Sequence, residues 1–296
     1  MLLQDLLDQP QVSWMKPGAK DGDIVLSSRI RLARNLTDIP FPGRANAEQL
    51  QQIADRIRQS VPALAASDRH EYLFMPLEQL KPLDRLILVE KHITSPNHVQ
   101  EPKGRALLVR DDTAVSIMVN EEDHLRIQCM VSGANLPEAF ALADRVDDVL
   151  EGEHDYAYSE RLGYLTSCPT NIGTGLRASS MLHLPVLALT KQIQQVVNAA
   201  TQLGLAVRGI YGEGTEAVGN IFQISNQLTL GYSEAEIIEN LTGVVQQVVD
   251  QERAARAALM SESQSLLADR IWRAYGILRF ARSISGQEAL AMLSEV

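Results

Sequence analysis

The chain has 296 residues, 45% hydrophobic and 22% charged, with 27 Lys plus Arg against 37 Asp plus Glu for a net charge of −10. That is an ordinary globular balance, one large domain or two with a sizeable core; patterned Val, Ile and Leu runs exclude disorder as the main state, and no run approaches the roughly 20 apolar residues of a membrane span. The acidic excess argues against direct nucleic-acid binding and suits a cationic partner, while two cysteines (Cys129 and Cys168) and no basic-then-apolar leader predict a reducing, cytoplasmic setting without a disulfide framework.

Residues 1–20, with Pro10, Pro17 and Gly18, read as an irregular lead-in. Asp21-Gly22-Asp23 signals a turn, and Ile24–Ala33 reads as a strand. Asn46 caps a helix to about Val61, with Leu50, Ile53 and Ile57 on one face. Pro76 opens a second helix, although Pro82 falls in its first turns. Ala106–Val109 and Val115–Val119 are short strands around an Asp111-Asp112 turn. His124–Val131 alternates, with Leu125, Ile127, Cys129 and Val131 on one side and Arg126, Gln128 and Met130 on the other. Pro137 begins a helix that ends near Gly152, Leu187–Leu203 is helical up to Gly204, and Leu205–Tyr211 is a strand. Ser233–Leu267 is the longest helical stretch, opened by a capping box at Ser233 and Glu236, and a last helical piece begins near Ala268. Hairpin-length connections between strands and helices predict an α+β fold, a largely antiparallel sheet flanked by helices with a short C-terminal helical segment. The expected division is a lead-in at 1–20, a main domain at 21–267 and a partial helical region at 268–296.

Several arginines do not read as structural. On a strand, Ser27, Arg29 and Arg31 share one face and Ile30 and Leu32 the other. Two guanidiniums two residues apart repel unless an anion lies between them, and the bidentate, permanently charged arginine fork suits phosphate oxygens. A solvated basic face accounts for this segment equally well. Arg126 on the polar side of its strand, Arg177 at the end of Cys168–Arg177 and Arg208 among apolar neighbours shift the balance toward a convergent polyphosphate site. The Gly173-x-Gly175 loop matches neither a Walker A loop nor a dinucleotide fingerprint.

Acidic residues cluster too. Asn120-Glu121-Glu122-Asp123-His124 sets three carboxylates in a row, either an exposed hairpin loop or a patch facing cations. Glu213 is flanked by Gly212 and Gly214, which permit close approach of backbone to a ligand. Cys168, before Pro169 in a Gly-rich loop, is an inert thiol or one with a lowered pKa in an electropositive setting. His92 and His124 have no metal-ligand spacing, and no metal-binding residues are expected.

Four segments in this order, Ser27–Arg31 (SSRIR), Asn120–Arg126 (NEEDHLR), Cys168–Arg177 (CPTNIGTGLR) and Arg208–Glu216 (RGIYGEGTE), resemble the guanidino (phosphagen) kinases, and Gly219–Gln227 (GNIFQISNQ) is similar to their bacterial branch. Within that family the chain resembles the bacterial protein arginine kinases. The resemblance implies a guanidino kinase catalytic domain at 21–267, moving the γ-phosphoryl of ATP with Mg²⁺ onto the guanidinium of arginine residues in proteins. It assigns ATP binding to Arg29, Arg31, Arg126, Arg177 and Arg208, with Ser28 and His92 beside them. It assigns catalysis to Glu122 as base, with Glu213, Cys168 and Glu121, and a supporting place to Asp123.

The Ser-Ser-Arg motif arrives at Ser27, without the helical N-terminal domain that encloses small substrates in the metabolic enzymes. An open site able to take an arginine presented on a protein is therefore expected. The family's C-terminal helical domain carries dimerisation and phosphoarginine control, and only part of it is expected here. By the same resemblance the partners are arginine-containing protein substrates, an activator protein, a stress-response repressor and Clp-type protease machinery of protein quality control, with a homodimer as the assembly. The alternatives are a kinase for free arginine or another small guanidino compound, and a non-catalytic adaptor that binds phosphoarginine or a partner.

Overall fold

A computed structural model describes residues 2–209 and 217–296. Its centre is strand β1 (Val25–Arg34), whose alternating side chains send Ile30 and Leu32 into one core and Arg29 and Arg31 to the opposite face. The other strands are β2 (Tyr72–Pro76), β3 (Ala106–Arg110), β4 (Val115–Val119), β5 (Leu125–Ser132), a small ribbon β6 (Tyr158–Ser159) and β7 (Gly163–Tyr164), then β8 (Leu176–His183), β9 (Leu205–Gly209) and β10 (Ile221–Asn226). Eight of them form one sheet in the order β2-β3-β4-β5-β1-β8-β10-β9, with every neighbouring pair antiparallel.

The helices are α1 (Leu3–Asp8), α2 (Ala47–Gln59), α3 (Val61–Asp68), α4 (Pro82–Glu90), α5 (Pro96–Gln100), α6 (Leu136–Glu151), α7 (Pro185–Leu189), α8 (Ile193–Gln202), α9 (Glu234–Glu262), α10 (Gln264–Phe280) and α11 (Gly286–Glu295). One sheet face packs on α2, α6 and α9 through Ile30, Leu32, Ile127, Leu176, Ile224, Ile53, Val146 and Leu241. The opposite face is divided. Its β2–β4 half is apolar and covered by Leu6, Val12 and Leu88 over Met75, Leu107, Val109 and Met118. Its β5–β1–β8 half is polar and carries the arginines. Among the described residues no helix is long and apolar enough to cross a membrane.

Several elements differ from expectation. The lead-in is not irregular: it holds α1 and a 3-10 turn at Ser13–Met15, and Leu6 and Val12 are buried. Lys91 Nζ fastens it by donating to the carbonyls of Leu6, Leu7 and Gln9 at 2.8, 2.8 and 2.6 Å, at the end of α1 where carbonyls lack helical partners. Pro76 ends β2 rather than opening a helix, and α4 starts at Pro82, whose fixed φ suits a first helical position. Residues 187–203 split into α7 and α8, with Lys191 in the left-handed region (φ 60°) between them. The long C-terminal helix breaks at Ser263 instead of running to Leu267. Strands β8 and β10 had no clean alternation to announce them, because Ser179, Ser180 and Ser225 interrupt their apolar pattern while being buried.

Among the described residues the largest fully buried side chain is Arg34. Its Nε and Nη2 donate to Asp147 Oδ2 on α6 at 2.9 and 2.6 Å, and its Nη1 donates to the Thr174 carbonyl at 2.9 Å. Its guanidinium lies 3.6 Å from the Tyr164 ring centroid. Gly175 (φ 65°) permits this approach, since a Cβ there would fall 2.6 Å from Arg34 Nη1. One ion pair thus ties β1 and α6 to the loop ahead of β8. Arg34→Ala leaves Asp147 buried without its cation and is expected to cost about 3–5 kcal/mol in urea unfolding, whereas Arg34→Leu combined with Asp147→Leu recovers most of that loss. A change below about 1 kcal/mol in the single variant would show that the pair does not hold these elements together.

Candidate active site

The antiparallel register decides which side chains meet. Arg31 on β1 lies directly opposite Arg177 on β8, and Arg126 on β5 lies opposite Ala33, two residues along the same face from Arg31. Arg29 is opposite Ser179, to whose Oγ its Nε donates at 3.4 Å, and its Nη2 donates to Gln223 Oε1 on β10 at 2.8 Å. Arg208 on β9 is exposed and pairs across the sheet with Gln223. The five arginines singled out in the sequence therefore lie on four strands, β5, β1, β8 and β9, with β10 between the last two.

Their partners are unequally distributed. Arg126 is ion-paired with Glu121, and with Glu122 at 3.2 Å. The buried Nε atoms of Arg31 and Arg177 have no hydrogen-bond partner. Burial, then Arg126, lowers the Arg29 guanidinium from its ordinary range to about 10. Burial, followed by the charges of Arg29, Arg126 and Arg177, pushes Arg31 well below its ordinary value. For Arg177 the causes are burial and then Arg208. An unmet buried donor costs about 1–3 kcal/mol, and like charges at close range add to that. Anionic oxygens among these forks would remove both penalties.

Two cavities meet at this cluster. The larger, about 780 Å³, is lined by Arg29, Arg31, Arg126, His92, Gln128 and residues of α4, α5 and α11. Its volume suits a drug-sized or nucleotide-sized ligand. The smaller, about 160 Å³, lies between Arg31, Arg126, Arg177, Glu122, Cys168 and Asn171. Arg31 and Arg126 belong to both, so they stand at the junction.

The acidic run divides its work. Glu122 is 43% exposed and faces the small cavity. Glu121 is buried and accepts from Ser95 Oγ as well as pairing with Arg126. Asp123 accepts from Asn35 Nδ2 and from the Ser167 backbone N–H, both at 2.6 Å, and so pins the chain just ahead of Cys168. Cys168 is partly exposed, with its Sγ 3.0 Å from Thr170 Oγ1. Glu213 lies outside the described residues.

Ser28 does not join the arginine face. It is fully buried on the helix side of β1, where its hydroxyl donates to the Gly133 carbonyl at 2.7 Å and accepts from the Asn135 N–H at 3.0 Å. The strand period puts it one residue out of step with Arg29. His92 does line the large cavity; its ring stands edge-on to Trp14 at 5.4 Å, and burial followed by Arg29 lowers its pKa. Gln223, Ser179, Asn35 and Arg34 were not assigned roles from sequence. Neutral side chains carry no charge pattern, and cross-strand placement becomes visible only with the register.

A carboxylate–imidazole group of His70, Asp111 and Asp112 forms at the β3–β4 turn, away from the arginines. It is a surface network: His70 Nδ1 lies 2.6 Å from Asp111, and Arg110 pairs with Asp112 and Asp68 at 2.8 and 2.9 Å.

The antiparallel sheet thus brings together an arginine cluster, the Glu122 carboxylate and the Cys168 thiol. Residues 52–255 match the family of the ATP:guanido phosphotransferase C-terminal catalytic domain, and the chain belongs to that family. Residues 264–296 match the protein-arginine kinase McsB C-terminal domain. The chain is 51% identical to a protein-arginine kinase of Halalkalibacterium halodurans, over 100% of this chain and 83% of that protein. A protein-arginine kinase of Moorella thermoacetica is 53% identical over 96% of this chain and 81% of its own length. Among solved structures, a lombricine kinase aligns with TM-score 0.69 and 27% identity, covering 85% of this chain and 71% of that one. A duplicated taurocyamine kinase from Schistosoma mansoni, at 24% identity and TM-score 0.71 over 91% of this chain and 39% of that one, shares the fold.

The wall of the site that bears Glu121 rests on a neutral histidine. His98 on α5 is fully buried, with Nδ1 2.8 Å from Thr94 Oγ1 and Nε2 3.0 Å from the Val119 carbonyl. Burial lowers its pKa from 6.5 to about 4. The unfolded chain therefore binds a proton near pH 6.5 that the folded chain refuses until about pH 4, so stability falls as pH drops through that window. Between pH 7 and pH 5 the expected loss from His98 is about 2 kcal/mol in urea unfolding. His98→Gln removes that part of the pH slope; an unchanged slope would mean that His98 is not buried neutral.

Proposed function

We propose that this chain transfers the γ-phosphoryl of ATP to the guanidinium of arginine residues in proteins. The observation that carries this reading is the pair of unpartnered arginine Nε atoms, Arg31 and Arg177, at the junction of a nucleotide-sized cavity and a small one holding Glu122 and Cys168. Family membership supplies the reaction class, and relatives at about 50% identity are named protein-arginine kinase. Exposure of Glu122 supports an acceptor presented on a protein surface.

In this reading the triphosphate lies along Arg29, Arg31, Arg126, Arg177 and Arg208, with the nucleoside in the large cavity toward His92. Phosphoryl transfer depends on positioning and charge neutralisation, which bidentate guanidiniums supply. The acceptor enters the small cavity. A guanidinium nitrogen is a poor nucleophile while protonated, so Glu122 holds it and takes its proton as the N–P bond forms and ADP departs. Glu213 serves as the second carboxylate. Cys168 adds negative character beside the acceptor, Glu121 holds Arg126, and Asp123 holds the Cys168 loop.

Among the described residues the arginine face has no carboxylate cluster able to cage a metal ion; Glu121 and Glu122 are both engaged by Arg126. That donor set fits Mg²⁺ carried on the nucleotide's own oxygens and its waters, where it supplies further positive charge. Substrates are arginine-bearing proteins in the cytoplasm, and an activator protein, a stress-response repressor and Clp-type protease machinery are the further partners of this reading.

Glu122→Ala is expected to lower phosphoarginine formation by roughly 10²–10⁴-fold while ADP still binds, read by mass spectrometry of a basic protein under conditions that keep the acid-labile N–P bond. Near-normal product would sink the assignment. Cys168→Ser is expected to cost less than Glu122→Ala, and free arginine is expected to be a poorer acceptor than the basic protein. Transfer to basic proteins should slow as salt rises, because the net charge of −10 favours their approach; a flat salt response would count against such steering.

A further inference from the structure

The large cavity has a wall that lies beyond the segment matching the catalytic domain. Gly286, Gln287 and Leu290, in the first turns of α11, line the same space as Arg29, Arg31 and His92. The catalytic-domain match ends at residue 255. Gly286 and Gln287 are exposed and Leu290 is half-buried, so this end of α11 faces the cavity rather than being spent on its own packing.

The helix is fastened in place from several directions. Gly219 has φ 65°, and a Cβ there would sit 2.9 Å from the Leu290 carbonyl, so the Val218–Asn220 turn presses directly on α11. Ser294 Oγ lies 2.7 Å from Asn220 Nδ2 and 2.8 Å from His183 Nε2, which links α11 to that turn and to the end of β8. Glu295 closes an ion pair with Arg270 on α10. Ser285 caps the helix by accepting from the Glu288 N–H at 3.2 Å.

The chemistry of the lining changes across the cavity. Arg29, Arg31 and Arg126 stand at one part, whereas Val89, Pro96, Val218 and Leu290 are apolar and Gln287 brings a neutral amide. Charged forks suit phosphates; apolar walls with one hydrogen-bonding amide suit a base and its ribose.

We propose that α11 is part of the nucleotide site, with Leu290 packing against the base–ribose end of the bound nucleotide and Gln287 hydrogen-bonding to it. Docking of the C-terminal helices and nucleotide binding are then linked: bound nucleotide holds α11 down, and whatever shifts α10 and α11 changes nucleotide affinity by the same factor. This rests on the reading of the large cavity as the ATP site, and deepens it.

The test uses the full chain and ADP as probe. Calorimetric titration compares the unmodified chain with Leu290→Asp, Gln287→Ala and Ser294→Ala, and hydrogen exchange follows the α11 amides with and without ADP. Leu290→Asp is expected to weaken ADP binding by roughly tenfold, through loss of an apolar contact and introduction of a carboxylate near phosphates. Gln287→Ala and Ser294→Ala are expected to weaken it about threefold each, and Ser294→Ala to raise the ATP KM by that factor while kcat at saturating ATP holds. The α11 amides should gain protection when ADP binds. If ADP binds the unmodified chain, all three variants bind it equally well and α11 protection is unchanged, the proposal falls while the ATP reading stands. If the unmodified chain binds no ADP, both fall. Should a variant fail to fold, as its thermal unfolding would show, exchange in the unmodified chain decides.

Discussion

Mutual repulsion among guanidiniums on the middle of the sheet is the constraint to which the rest of the architecture answers. Arg29 and Arg31 on β1 and Arg177 on the neighbouring antiparallel β8 stand close enough that, after burial, the charges of Arg29, Arg126 and Arg177 lower the proton affinity of Arg31. A flexible loop would relieve such repulsion by moving apart. A strand hydrogen-bonded on both sides, as β1 is by β5 and β8, has no such freedom. The fold therefore stores an unmet demand for anionic oxygens in a rigid frame. Pre-organisation of this kind lets binding and charge stabilisation occur without reorganising the site.

Arg34 solves the opposite problem with the same residue type. Three residues on from Arg31, an odd number, it falls on the helix side of β1, where Asp147 and the Thr174 carbonyl satisfy it. It organises rather than binds: through Thr174 it fixes the approach to Arg177, while Asp123 fixes the approach to Cys168 through Ser167. Two buried carboxylates thus hold the two ends of one loop. Arginines of one strand are divided into ligand-seeking and structural sets by the two-residue period alone.

That period explains what was legible in the sequence. The faces of β1 and β5 followed from alternation, and the caps at Asn46 and Ser233 followed from their side chains; both caps form, with Gln49 and Glu236 completing the boxes. The arginine grouping was suggested by charge and strand placement, the Glu122–Cys168 grouping by motif resemblance, and the register brings Arg31, Arg126 and Arg177 together. Ser28 was misplaced because motif adjacency overrode strand parity. β8 and β10 stayed hidden because each lies between two other strands, and buried Ser179, Ser180 and Ser225 break the apolar alternation that would announce them. The lead-in was underrated for another reason: α1 is too short to show periodicity, and its place comes from Lys91, 82 or more residues away.

The divided face of the sheet gives these pieces a common logic. An apolar half under Leu6, Val12 and Leu88 anchors α4 and α5, which carry His92 and Ser95 to the rim of the cavity. Ser95 engages Glu121, Glu121 engages Arg126, and Arg126 stands at the junction of the two cavities. Packing on the covered half is in this way transmitted by a short chain of polar contacts to the charged half. On the far side α11 closes the cavity through contacts to Asn220 and His183. The inner charges are fixed by the sheet, the α4–α5 rim is held by apolar packing, and the α11 rim is tied by polar contacts to Asn220 and His183. The floor of the cavity is accordingly rigid, and the α11 wall is the part whose docking can change without disturbing the arginines.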